Sequence, residues 1–185
     1  MHVLNKGLVV ASLLCAGFLS HHQDAKKEPA GMAVPEPTAE HKWLAEDAGK
    51  WKATGKYQVG PGVWVPISGV QTNTMQQGGL WQIIDFKDDA GQFSGHGVAG
   101  YDPGRKKFMS LWVDNASAEF APAEGTLSAD KKTLTSEFTK TDASGKKVKV
   151  TETFLRKDSK TTLMEMFDTV DGKPVKTLEI TYTRM

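Results

Sequence analysis

The sequence predicts an all-β protein, an antiparallel up-and-down β-barrel of about ten strands preceded by one short N-terminal helix. Three observations carry this. Apolar and polar residues alternate with a period of two at both ends of the stretch from Trp51 to Tyr182, the mark of half-buried strands. Turn-forming clusters recur between apolar stretches with no helical period among them, which makes sequential antiparallel pairing the economical topology. A sheet of that many twisted strands curls and closes, hiding its edges.

The chain opens MHVLNKGLVVASLLCAGFLSHH. Positive charge at the amino terminus and Lys6, an apolar run from Gly7 to Leu19 and a polar sequel form a signal-peptide pattern over residues 1–20, so export to the periplasm or beyond is expected. The apolar run is shorter than the ~20 residues that span a bilayer. Cys15, the only cysteine, stands inside that run, with Leu14 before it and Phe18 and Leu19 after it, which argues against lipid anchoring there and leaves the folded part without a disulfide. Residues 21–36, HHQDAKKEPAGMAVPE, combine Pro, Ala and charge without an apolar period and read as a flexible tether. The paired His21 and His22 lack further ligands and read as solvated tail residues.

The folded domain is expected over residues 37–185. It begins with TAEHKWLAEDAGKW, in which Thr38 suits an N-cap, Glu40 the first turn, Trp43, Leu44 and Ala48 an apolar stripe, and Gly49 a stop. In WKATGKYQV, Trp51, Ala53, Gly55, Tyr57 and Val59 then share one face. The alternation returns in KKVKVTETF, through Val148, Val150 and Phe154, and in TLEITYT, through Leu178, Ile180 and Tyr182. Between them lie apolar stretches over Leu80–Phe86, Phe93–Tyr101, Phe108–Val113, Leu134–Phe138 and Leu163–Phe167. Asp88-Asp89-Ala90-Gly91, Asp102-Pro103-Gly104, Asp142-Ala143-Ser144-Gly145 and Asp171-Gly172-Lys173-Pro174 supply the residues that tight reversals need.

Composition agrees with one domain and a real core. Hydrophobic residues make up 39% and charged ones 24% of 185 residues, too polar for a membrane protein and too apolar for a disordered one. A net charge of +1 provides no field to attract nucleic acid or an anionic membrane.

Two stretches carry a family resemblance. Gly49-Lys50-Trp51, after a short helix and at the start of the first strand, resembles the Gly-x-Trp opening of lipocalin-like barrels, where the Trp packs across the closed end. Gly95 to Ser117, GHGVAGYDPGRKKFMSLWVDNAS, resembles the bacterial domain-of-unknown-function family 1579, which carries a Gly-Tyr-Asp turn followed by Trp-x-Asp. Here these are Gly100-Tyr101-Asp102 and Trp112-Val113-Asp114. The likeness extends from about Thr38 to the C-terminus. It implies a calycin-type fold, structural roles for Gly49, Trp51, Gly100, Tyr101 and Asp102, and no catalytic residues to carry over.

Candidate binding residues follow from strand parity and side-chain chemistry. Gly95-His96-Gly97-Val98-Ala99-Gly100 matches the dinucleotide-binding pattern, but it runs into a hairpin instead of a helix N-terminus, so its glycines read as room for a bend or a close neighbour. Glu152 shares parity with Val148, Val150 and Phe154, and Glu165 lies between Leu163 and Phe167, so either acid is a candidate for the interior, with local twist toward solvent as the alternative. Arg156 is the expected ion-pair partner of Glu152 and a ligand anchor. Trp81 and Trp112, with Trp64 and the methionines Met75, Met109, Met164 and Met166, are candidate wall material. His96 is the one histidine in a predicted strand. No cofactor and no metal site is expected, haem on His96 being the alternative, and a surface histidine the simpler reading. The function these residues point to is an exported barrel that holds a small, mostly apolar molecule. The alternatives are an enzyme using an interior carboxylate and a ligand-free structural or interaction module of the cell envelope.

Overall fold

The computed structural model describes residues 34–142 and 144–185. The signal-peptide stretch, all but the last residues of the tether, and Ala143 of the Asp142–Gly145 turn lie outside the described residues. Among those described, one helix, α1 (Ala39–Ala45), precedes ten strands. These are β1 (Gly49–Gly60), β2 (Val63–Gln76), β3 (Trp81–Asp88), β4 (Ser94–Asp102), β5 (Lys107–Asp114), β6 (Ala123–Leu127), β7 (Thr133–Thr141), β8 (Lys147–Arg156), β9 (Thr161–Val170) and β10 (Lys173–Arg184). Each strand pairs antiparallel with its neighbours in sequence, and β1 pairs with β10 from Trp51 opposite Arg184 to Tyr57 opposite Leu178, so the sheet is a closed up-and-down barrel.

The turns work through the residues that announced them. Asp171 (φ 48°) and Gly172 (φ 74°) take the left-handed conformations of a two-residue hairpin. The Asp102 carboxylate accepts the backbone N–H groups of Gly104 at 2.9 Å and Arg105 at 3.1 Å, a side-chain-stabilised turn. Two strands carry no visible alternation in the sequence. The inner face of β2 includes Gln71 and Asn73, and that of β6 is Ala123, Gly125 and Leu127, with a single large apolar side chain among the three, so the apolar beat on which parity depends is weak in both.

Two apolar clusters fill the barrel unevenly. Trp51, Ala53, Phe86, Met164, Ile180 and Tyr182 cover the wall formed by β1, β3, β9 and β10. Trp43 and Leu44 of α1 press up against Phe108 and Leu134 and form the floor. A seven-residue helix is not stable alone, and here barrel side chains hold its carbonyl end. Arg156 donates to Trp43 O at 2.7 Å, Gln82 to Leu44 O at 2.8 Å, Arg184 to Glu46 O and Ala48 O, and Trp51 Nε1 and Asn73 to Asp47 O. The two guanidinium groups also lie over tryptophan rings, Arg156 at 3.6 Å from the Trp43 centroid and Arg184 at 4.3 Å from that of Trp51. Cations at a helix C-terminus complement its dipole, and stacking adds to the attraction.

Trp51 is 3% exposed, packs in the wall cluster and donates to the turn after the helix. Trp51→Ala is therefore expected to destabilise the barrel by about 3–5 kcal/mol. Urea unfolding followed by circular dichroism reads this directly, and an unchanged midpoint would contradict the floor's dependence on Trp51.

Candidate functional site

Cross-strand partners point to the same side of a sheet, so the register defines the inner wall. From Glu152 on β8 it runs through Ser136 on β7 to Gly125 on β6, and beside them stand Ala123, Ser110, Ala99 and Gly97. No side chain in this belt is longer than a serine except Glu152 itself. Below it lie Tyr101, Phe108, Leu134 and Phe154 of the floor; above it lie Trp112, Phe138 and Val150. A barrel of eight strands already has an interior just filled by side chains or able to hold one small ligand. With ten strands and a belt of small residues on β4–β7, bulky groups are missing at mid-height on one side.

Glu152 stands at the edge of that belt. It is only 9% exposed, faces Ser136 and Met166 across the sheet, and makes no hydrogen bond or ion pair among the described residues. Its oxygens are not sealed, because the single enclosed side-chain polar atom without a partner among the described residues is Thr162 Oγ1. The carboxyl group, like the Ser136 hydroxyl over Gly125, therefore faces the barrel interior. Burial without a compensating cation pushes the Glu152 carboxyl up to about 7. Tyr182, buried on β10, is raised by its own desolvation and further by the charge of Glu152; its hydroxyl faces Met164 Sδ at 3.6 Å.

The expected pair of Glu152 and Arg156 does not form. Arg156 is on the same face four residues along β8, but its guanidinium turns to the floor, with Nη2 at 2.7 Å from Asp47 and Nη1 at 2.9 Å from Glu46. The carbonyls and acids at the end of α1 compete for it, and the sequence shows no sign of that contact. Burial outweighs the arginine's pull on Asp47, whose carboxyl sits above its ordinary value.

Three further candidates lie on the outer wall. Glu165 stands opposite Glu179 and Thr153 and is bridged by Lys176, which also reaches Glu179 at 2.8 Å. Strand β9 is apolar on both faces: Leu163 and Phe167 point outward beside Glu165, whereas Met164 and Met166 point inward, so parity alone assigns the acid to the wrong side. Trp81 is 41% exposed and lies over Gly100, where a Cβ would come within 2.5 Å of its ring. Gln82 takes the inward position next to it to reach the helix carbonyl. His96 pairs with Asp85 at 2.6 Å with both side chains about half exposed, so it offers no interior ligand for a haem.

Trp112 does lie on the inner face, near the open end, 37% exposed and hydrogen-bonded to Asp114 at 2.9 Å. Its ring covers Gly95 and Gly97, and a Cβ on Gly95 would overlap it at 1.9 Å. The glycine motif is thus the seat of a tryptophan. Tyr101 packs edge-on to Phe108 and His41 in the floor, and Gly49, with φ 129°, starts β1 where a Cβ would come 3.0 Å from Arg184. Two surface depressions, of about 450 Å³ beside Phe120 and Pro122 and about 280 Å³ beside Glu40 and Lys131, lie apart from Glu152. No cluster of metal-ligating side chains occurs among the described residues.

These features define a class: a closed ten-stranded antiparallel barrel of lipocalin-like kind, with a helix latched across one end. Within it, the chain belongs to the family described as protein of unknown function, DUF1579, whose model matches residues 36–184. Among solved structures, a redesigned β-barrel is similar at 12% identity with a TM-score of 0.35, over 77% of this chain and 94% of that one. No curated protein matches significantly.

The raised Glu152 fixes the sign of a pH effect. Its folded value, about 7, lies above its ordinary 4.5, so the protonated form favours folding. That stability is full below pH ~4.5 and is lost as pH rises through about 7, by about 3 kcal/mol in all. Glu152→Gln is expected to flatten this decline and to unfold at higher denaturant than wild type at pH 8. Parallel pH-dependent slopes for the two proteins would contradict a buried, unpaired carboxyl. A second outcome concerns the mouth: Gly95→Val should displace Trp112 and shift its fluorescence to longer wavelength, and an unchanged spectrum would count against the seat.

Proposed function

We propose that this protein is an exported carrier or sensor barrel that holds a small, mostly apolar molecule in its interior. One observation carries the reading: a nearly buried carboxyl, Glu152, without a partner among the described residues, at the edge of an inner wall of small residues. Keeping such a group is costly unless something else satisfies it, and a bound molecule with a polar end does so. The surrounding aromatic and methionine side chains suit an apolar body, since thioethers adapt their shape to what they touch. The signal-peptide pattern at the N-terminus supports export.

A second reading rests on the same side chain. A carboxyl poised near 7 is suited to general acid–base work at neutral pH, and turnover lost in Glu152→Gln with binding retained would favour it.

The neutral fluorophore N-phenyl-1-naphthylamine tests the interior. Wild type is expected to bind it with enhanced emission, and Ala123→Phe, which fills the small-residue belt, is expected to weaken binding at least about tenfold while the far-ultraviolet circular dichroism stays the same. Equal affinity in the two proteins would place the fluorophore elsewhere and favour a barrel filled by its own side chains.

A further inference from the structure

The charges on the inner face are unequal in what they are free to do. Its cations among the described residues are Lys140, Arg156 and Arg184. Lys140 is bound to Asp168 at 2.8 Å. Arg156 is spent on Asp47, Glu46 and Trp43 O, and Arg184 on the carbonyls of Glu46, Ala48 and Ser159. Glu152 is left without any of them. An apolar acid entering this barrel would find no free cation and would set its carboxylate against that of Glu152. A molecule whose polar end donates hydrogen bonds would instead find an acceptor in Glu152 and a second in the Ser136 hydroxyl, which stands opposite it and likewise makes no side-chain hydrogen bond among the described residues.

We infer that the ligand is a hydrophobic amine, a cationic head on an aliphatic or aromatic body, with the head seated on Glu152 and Ser136 and the body against Met166 and the small residues of β4–β7. This rests on the ligand-binding reading above and adds the chemistry of the head group. The charge-assisted contact is strong because both partners are desolvated together. Among the described residues, the groups that face Glu152 from its neighbouring strands include no second free acid. Ser136 on β7 and Met166 on β9 are uncharged, Tyr182 on β10 stays protonated, and Asp168, further along β9, is taken by Lys140.

Decylamine, decanol and decanoate, each below its micelle concentration, share a tail and differ in the head. Displacement of N-phenyl-1-naphthylamine from the full chain at pH 8 is expected to rank the amine at least about tenfold tighter than the acid. In Glu152→Gln that ratio should shrink to about threefold or less with decanol unchanged, and in wild type at pH 5, where Glu152 is protonated, the preference for decylamine over decanol, neither of which changes charge between pH 8 and pH 5, should shrink likewise. The wild-type pH comparison keeps the test decisive should the variant fold poorly. Equal binding of the three, preference for decanoate at pH 8, or an amine preference that survives Glu152→Gln would overturn the head-group assignment while leaving the ligand-binding reading standing. Failure of the fluorophore and all three compounds to bind would overturn both.

Discussion

Side chains from five strands converge on the carbonyl end of α1, and the closed end of the barrel depends on them. Trp51, Asn73, Gln82, Arg156 and Arg184 come from β1, β2, β3, β8 and β10, and each donates to a carbonyl between Trp43 and Ala48. A helix of this length leaves most of its terminal carbonyls without internal partners. Leu44 O, buried above the floor of Phe108 and Leu134, could not be left to water, and barrel side chains also meet the half-buried carbonyls of Trp43, Asp47 and Ala48. That requirement explains otherwise odd residues: a buried glutamine and asparagine on inner faces, and two arginines stacked on tryptophans.

The latch has a consequence for the interior. By drawing both arginines down to the floor it removes from the mid-barrel the cations that would neutralise Glu152. The wall opposite the small-residue belt is densely apolar, with Phe86, Met164 and Ile180, so it offers no substitute. The result is an asymmetric interior, one side filled and the other lined by Gly97, Ala99, Ser110, Ala123, Gly125 and Ser136, with an acid between them. Stability and the candidate site are thus coupled through the use of Arg156.

The fold was legible because most strands bury one face and because the turns use residues with few other roles. β1, β8 and β10 alternate clearly, and the hairpin at Asp171-Gly172 takes the backbone conformation its residues favour. β2 and β6 were not legible, and the reason is that amides on β2 and residues too small to read as apolar on β6 interrupt their inner faces between Ile67 and Met75 and before Leu127. The candidate site includes β6: space for a ligand is made there by omitting large side chains, which weakens the pattern that marks a strand. Where β9 is apolar on both faces the opposite error occurs, and Glu165 reads as interior although Lys176 holds it outside.

The sequence by itself determined the class of fold, the place of the helix before the first strand, the turns, and the parity of Glu152 with buried neighbours, since these depend on local periodicity and on residues a few positions apart. Only the tertiary structure decided which charges meet. Arg156 and Glu152 are close in sequence, yet the arginine bonds to Asp47, more than a hundred positions away, because barrel closure brings the end of β8 against the end of α1. The same closure puts Trp112 over Gly95 and His96 beside Asp85. Long-range electrostatics and packing are properties of the closed sheet, and no period in the chain encodes them.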